Sequence, residues 1–329
     1  MGVIRLAVDA MGGDYAPDEI VAGAVQGARD LDLGLLLVGD EDAIQKQLPG
    51  LQTDGLELEI VPSKDVIRME EHPAQAVRAR PEASINVACR LVLEGRADGV
   101  LSMGHTGAGM IAALLNFGRI PGVERPAALV PFLGLRQDLY LLDAGANTEV
   151  RPQHLLQFAH MGSAYAEYAA QISHPRLALL SNGVESNKGN KIGQEAYTLL
   201  EASDLNFVGN IEGHTLLSSD VNVVIADGFA GNIILKLAEG IAASLLDQAQ
   251  EVVEKLPEAS GELVKRHLNV LREKNDYTHY GVSTLLGVQH PIFIGHGRSK
   301  AAAVRYGMAT ARRMIAGGVI DRIRQALAS

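Results

Sequence analysis

Seven short segments of this chain combine glycine with small polar or titratable residues. They are Asp9–Asp14, Ser102–Gly109, Asp143–Asn147, Ser181–Gly183 continuing to Lys188-Gly189-Asn190, Gly209–Gly213, Asp227–Asn232 and Gly295–Ser299. Each follows a short apolar run. Glycine lets a backbone approach a ligand closely, and the Asn, Ser, Thr and His beside it supply hydrogen-bonding groups. Ser102–Gly109 leads straight into a helical pattern, and Ser299 is placed to cap another at Lys300. Free amides and the positive dipole end of a helix make such junctions anion sites. Lys188, flanked by Asn182, Asn187, Gly189 and Asn190, adds a point charge. One loop of this kind is an ordinary turn. Seven together predict a shared ligand cleft along one rim of a sheet, outside the carboxyl ends of its strands.

Other chemistry is poorly supplied. Gly104–Gly109 reads G-x-x-G-x-G rather than the dinucleotide fingerprint, and the segment ending at Lys188 lacks the glycine before lysine of a nucleotide-hydrolase loop. No G-x-S-x-G elbow and no H-E-x-x-H pair occur. Asp9, Asp14, Asp143 and Asp227 have the oxygens that Mg²⁺ prefers, but turn capping accounts for them, and neither a metal nor a cofactor is expected. Cys89, the one cysteine, sits beside Val87, Ala88 and Leu91 in a helical pattern and reads as a packing thiol. No covalent nucleophile is evident.

The elements that must position these loops alternate. Ile4–Val8, Leu33–Val38, Leu56–Val61, Gly99–Ser102, Ala127–Leu133, Tyr140–Asp143, Arg176–Leu180, Asn206–Asn210, Asn222–Ala226 and Pro291–Ile294 read as strands. Helical patterns separate most of them, among them Asp18–Leu31, Ser84–Glu94, Thr106–Asn116, Leu155–Ala170, Gly193–Ala202 and Ser299–Met314. Continuous apolar strands alternating with helices predict a parallel sheet covered on both faces. Ile233–Leu256 and Glu262–Arg272, broken by Pro257, form a helical hairpin too long to serve as one crossover. It covers the core, or it makes a subunit interface or a surface contact.

The balance of 29 Lys+Arg against 39 Asp+Glu, a formal net charge of −10, argues against a nucleic-acid partner. A single cysteine excludes an intrachain disulfide. The opening Met1–Leu6 does not read as a signal peptide. No run of about 18 apolar residues is present, so no bilayer-spanning helix is expected. A cytoplasmic protein is the default.

Read together, the motifs resemble those of bacterial phosphate acyltransferases, which convert acyl-(acyl-carrier-protein) and phosphate to acyl phosphate for glycerolipid synthesis. The resemblance runs through A-V-D-A-M-G-G-D-Y-A-P at Ala7–Pro17, S-M-G-H-T-G-A at Ser102–Ala108, R-P-A-A at Arg125–Ala128 and L-D-A-G-A-N at Leu142–Asn147. It continues through Leu180–Asn190, F-V-G-N-I-E-G at Phe207–Gly213, D-G-F-A-G-N-I-I-L-K at Asp227–Lys236, Leu285–Val288 and H-G-R-S at His296–Ser299. The family usually has Asn where this chain has His105, and commonly a second Glu where Ser186 stands.

The resemblance implies a three-layer α/β/α sandwich with a mostly parallel sheet, related to phosphotransacetylases and isocitrate-type dehydrogenases. It implies one catalytic unit over residues 1–329, with two lobes around a cleft and a projecting hairpin at 233–274. It also implies a homodimer, a peripheral membrane contact and a downstream glycerol-3-phosphate acyltransferase that takes the product. Phosphate is itself a competent nucleophile, so the protein need only position it and stabilise the oxyanion. On this reading amides at Thr106–Ala108, with Lys188 and Asn232, hold phosphate, and His105 or Asn147 donates to the oxyanion or carries the proton. Gly12, Gly13, Asp14, Ser102, Thr106, Gly107, Asn182, Asn190, Asp227, Gly228, His296 and Ser299 complete the substrate site. Docking of an acidic carrier falls to Lys265, Arg266, Arg272 and Lys274, or to Arg305, Arg312 and Arg313. The rival readings are an isocitrate-type dehydrogenase and a catalytically silent scaffold of lipid synthesis.

Overall fold

Apolar runs bounded by glycine and polar turns become strands, and amphipathic runs become the helices that cover them. The computed structural model describes residues 2–132, 138–255, 257–275 and 282–327. In chain order the first half comprises β1 (Arg5–Asp9), α1 (Asp18–Leu31), β2 (Gly34–Gly39), α2 (Glu41–Gln47), β3 (Leu58–Pro62), α3 (Pro73–Ala79), α4 (Ser84–Leu93), β4 (Gly99–Ser102), α5 (Thr106–Asn116) and β5 (Ala127–Pro131). Then come β6 (Tyr140–Leu142), α6 (Pro152–Tyr168), β7 (Leu177–Leu180), α7 (Lys191–Glu201), β8 (Phe207–Ile211), β9 (Val223–Ile225), α8 (Gly228–Val253), α9 (Glu258–Asn275), β10 (Val282–Leu286), β11 (Ile292–Gly295), α10 (Ala301–Ala316) and α11 (Val319–Ala326).

The strands form a single 11-stranded sheet in the order β3-β2-β1-β4-β11-β10-β5-β6-β9-β7-β8. The first five are mutually parallel, and so are the last four. Between them β10 is antiparallel to both β11 and β5, and β5 is antiparallel to β6. The two parallel halves therefore run in opposite directions. This corrects the expectation of one rim. The loops after β1, β4 and β11 lie on one edge of the sheet, and those after β6, β7, β8 and β9 lie on the other.

Helices cover both faces, giving three α/β/α layers. On one face Leu6, Leu37, Phe158, Ile225, Phe293 and Met308 join a core that spans both halves. On the other, α4 and α5 pack over the first half around Ala88, Val100 and Ala112. The start of α8 covers the second half through Leu235, against Leu141 and Val224. Strand β10 and helix α3 are additions to the sequence reading. β10 escaped it because Val282–Leu286 carries Ser283 and Thr284 in an otherwise apolar run.

The hairpin exists as α8 and α9, closed in part by Arg272 on Asp247 at 2.9 Å. It does not serve chiefly as core cover. Ile233, Leu237, Ile241 and Leu245 of α8 are 49–60% exposed, as are Leu263 and Leu271 of α9 at 59% and 45%. By length and composition α8 is apolar enough to cross a bilayer, its best 18-residue window averaging a hydropathy of 1.5. The expectation that no segment reaches that threshold is corrected, because scattered apolar residues accumulate without an unbroken run. Leu256 and the side chain of Lys274 lie outside the described residues, as does Leu133.

Candidate active site

Strands β7 and β9 are neighbours, yet the helices that follow them depart to opposite faces. Helix α7 buries Ala196 and Leu200 in the core shared with α6, whereas α8 buries Leu235 on the far side. A crevice opens outside the carboxyl ends of such a strand pair, the usual ligand position in an α/β sheet. Here it is a cavity of about 780 Å³, lined among others by Ser181, Asn182, Lys188, Gly189, Asn190 and Asp227.

Asn182, Asn190 and Asp227 are each held by a specific local bond. The Asn190 side chain caps α7 by accepting from the Gly193 amide at 2.8 Å, and Asn182 Oδ1 accepts from the Gly189 amide at 2.8 Å. These bonds fix the loop that carries Lys188. The lysine stem packs across Gly183, where a Cβ would lie 2.7 Å from Lys188 Cγ. Ser181 Oγ is buried and without a hydrogen-bond partner. Ser181 is the functional candidate that sequence reasoning named in a loop but did not assign. Its only signal was its place directly after a strand. Asp227 plays a different part from the one expected: its Oδ1 caps α8 by accepting from the Ala230 amide at 2.7 Å. Asp227 also lines the cavity, so the cap and the crevice share this residue.

The turn after β6 is built around Asp143. Its buried carboxylate accepts from the amides of Ala128, Gly145, Ala146 and Asn147 at 2.7–3.1 Å, and from Asn147 Nδ2 at 2.8 Å. Burial pushes this carboxyl above its ordinary value, while the hydrogen bonds favour its charged form. Asn147 Nδ2 donates to Pro126 O as well, at 2.8 Å. Both of its amide protons are thus committed, and the expected oxyanion donor instead holds the turn. The Gly228 amide donates to Asn147 O at 2.7 Å, seating α8 on this turn.

Asn232 does not join Lys188. Ala230 and Ile234 are the α8 side chains that line the cavity. Residues two apart on a helix do not share a face, and Asn232 stands instead over Gly145, whose added Cβ would lie 3.7 Å from Asn232 Cβ. On the same flank, one and two turns on, Lys236 Nζ pairs with Glu239 at 2.9 Å. Burial first, then the Lys236 charge, lowers the pKa of His296, and the Glu239 charge opposes them.

The remaining expected residues follow strands of the other direction, although His296 among them lies within electrostatic reach of Lys236 and Glu239 on α8. Strands β1 and β4 are adjacent and their following helices, α1 and α5, again take opposite faces. Ser102 Oγ donates to buried Asp9 Oδ2 at 2.7 Å and accepts from the Gly104 amide at 3.1 Å. The Asp14 amide donates to Gly297 O at 2.7 Å, joining Gly12, Gly13 and Asp14 to the His296–Ser299 loop. Ser299 Oγ is buried without a partner. A smaller cavity of about 260 Å³ lies here, lined by Gly13, Asp14 and Gly104 beside residues 66–70. His105 is the N-cap of α5: its Nδ1 accepts from the Gly107 amide at 3.1 Å, just before which stands Thr106. The amides at Thr106–Ala108 and His105 are therefore on a different edge from Lys188, and strand direction separates them.

Cys89 is buried, and burial followed by the Asp9 charge drives its thiol pKa up, so it is no nucleophile. Among the described residues no group of three or more His, Cys, Asp or Glu is placed to hold a metal ion.

Residues 4–322 match the family described as fatty acid synthesis protein. A phosphate acyltransferase of Thermus thermophilus is 46% identical over 329 residues, covering 99% of each chain. The phosphate acyltransferase of Desulforamulus reducens is 42% identical over 326 residues, 99% of this chain and 98% of that one. The chain belongs to the phosphate acyltransferase family. It is an acyltransferase by that membership. The EutD phosphotransacetylase of Staphylococcus aureus shares the fold at a TM-score of 0.61 and 16% identity, covering 94% of each chain. A phosphotransacetylase of Streptococcus pyogenes does so at 0.59 and 17%, covering 99% of this chain and 95% of that one. The expected α/β architecture is thus met, with an antiparallel centre that the sequence reading did not include.

Proposed function

We propose that this acyltransferase converts acyl-(acyl-carrier-protein) and inorganic phosphate to acyl phosphate and free carrier, ahead of glycerophospholipid synthesis. The observation that carries this reading is Lys188 at the mouth of the crevice between α7 and α8. The first turn of α7 has amides without intrahelical partners, and its dipole favours an anion. Phosphate sits there against Lys188, Asn182, Asn190 and the Ser181 hydroxyl. One phosphate oxygen attacks the thioester carbonyl carbon. The C–O bond forms, the C–S bond breaks, and the carrier sulfur takes the proton that phosphate gives up. No side-chain nucleophile is needed, in keeping with the inert Cys89.

The acidic carrier docks on exposed Lys265 and Arg266 of α9. Arg272 is engaged by Asp247, and Arg305 by Asp30 at 3.6 Å, which makes them weaker candidates. Rising salt slows this association. The exposed apolar stripe of the hairpin supports a homodimer, with the hairpin end resting on the membrane surface of an otherwise cytoplasmic protein. A glycerol-3-phosphate acyltransferase consumes the acyl phosphate.

The test mixes purified protein with acyl-(acyl-carrier-protein) and phosphate and traps product with hydroxylamine. Phosphate-dependent hydroxamate with release of carrier thiol is the expected result. No product from folded protein overturns the assignment.

A further inference from the structure

The cavity at Lys188 is far larger than its proposed anion requires. At about 780 Å³ it falls within the size range of pockets that enclose a whole small-molecule ligand. Its lining also includes a set of aliphatic side chains that the anion does not use. Asn182, Lys188 and Asn190 all come from one loop at the start of α7, so the charge-binding groups occupy one end. The rest of the lining comes from strand ends and helix flanks and is mixed: Thr148, Glu149, Ser181 and Asp227 stand beside a set of aliphatic side chains. Leu155 of α6 and Leu179 of β7 are 4% and 3% exposed, and Ala226 after β9 is 3% exposed. Ala230 and Ile234 form the α8 flank, and Ile192, 36% exposed, stands at the mouth on the first turn of α7.

We propose that the wall formed by Val150, Leu155, Leu180, Ile192, Ala230 and Ile234 holds the acyl tail of the donor and sets the chain length the enzyme accepts. The inference rests on the reading that phosphate binds beside Lys188, and it adds a specificity subsite to that site. A thioester carbonyl placed next to phosphate can extend its alkyl chain along these aliphatic side chains, away from Lys188 and the asparagines and from the carboxylates of Glu149 and Asp227. Burial of each methylene against such a wall strengthens binding by about four-fold. Ala230 is the smallest side chain of this wall. It lies on the first turn of α8, which is locked to the Asp143–Asn147 turn through the Gly228 amide. A larger side chain there projects into the cavity instead of displacing the helix.

The test is a ladder of butyryl, octanoyl and palmitoyl carrier thioesters at saturating phosphate, with acyl phosphate trapped by hydroxylamine. In the natural protein kcat/KM is expected to rise with chain length. In Ala230→Phe the palmitoyl-to-butyryl ratio of kcat/KM is expected to fall at least about ten-fold, since several methylenes lose their wall. In Ile192→Ala and Ile234→Ala the same ratio falls by smaller factors, and these milder variants decide the matter if Ala230→Phe does not fold. A flat ladder in the natural protein, or a ratio unmoved in the variants, overturns the subsite while the acyl-phosphate reaction stands. Absence of acyl phosphate from every donor overturns the reaction itself, and the subsite with it.

Discussion

The carbonyl oxygen of Asp143 fills the space that a Cβ on Gly231 would need. The turn after β6 and the first turn of α8 are in backbone contact, and the D-G-F-A-G-N block records it. Gly231→Ala is expected to cost about 1–3 kcal/mol by overpacking, and to displace Ala230 and Ile234 from the crevice. Thermal denaturation and kcat measured together check this. A variant with normal stability and turnover would show that α8 is not seated as described.

Lys188 is exposed at the mouth of its cavity, so its replacement need not disturb the core. A hydrogen bond to a charged group contributes about 1.5–3 kcal/mol. Lys188→Ala should therefore lower kcat/KM for phosphate roughly 10- to 100-fold, with an unchanged melting temperature. Steady-state kinetics with phosphate as the varied substrate is the measurement.

Burial pushes the Asp9 carboxyl above its ordinary value of 3.8, despite the bonds from Ser102 Oγ and the Met11 amide. A carboxyl raised on folding binds its proton more tightly in the native state. Its contribution is complete below the unfolded value and is lost as pH rises through the folded one. Asp9→Asn keeps a similar shape and removes that titration. Denaturant unfolding across acid to neutral pH should show the natural protein losing stability relative to the variant as pH rises, by up to about 1.4 kcal/mol per pH unit.

His105 is the N-cap of α5, a position an asparagine side chain could fill as well. Ring Nδ1 accepts from the Gly107 amide as an asparagine oxygen would. His105→Ala should cost about 1 kcal/mol of stability, and His105→Asn should restore most of it. Equal melting temperatures for all three proteins would remove the capping role.

The exposed stripe on α8 should mediate self-association. A Leu237→Gln, Ile241→Gln double variant alters side chains 60% and 51% exposed in the single chain, so folding should be kept. Burying such side chains contributes about 1.5–3 kcal/mol each. Sedimentation should therefore show the dimer dissociation constant raised about 100-fold or more.

Much of this was legible in the sequence because it is local. Apolar runs such as Gly34–Gly39 depend on neighbours a few residues away and predicted strands directly, whereas the starts of α7 and α8 were read two and five residues late because the caps at Asn190 and Asp227 were taken as loop. The motifs around Lys188 and Asp227 identified the family for the same reason. The direction of a strand is not local. Strands β10, β5 and β6 reverse the sheet at its centre, and pairing between residues as distant as Thr284 and Leu129 decides it. That reversal sends Thr106 and Lys188 to opposite edges although their loops look alike. The roles of Asn147 and His105 were likewise invisible, since a side chain's free donors are known only once its partners are in place. The sequence by itself determined the elements, the family and the chemistry on offer in each loop. Only the tertiary structure decided which loops share a crevice, because that depends on strand direction and on the face each helix takes.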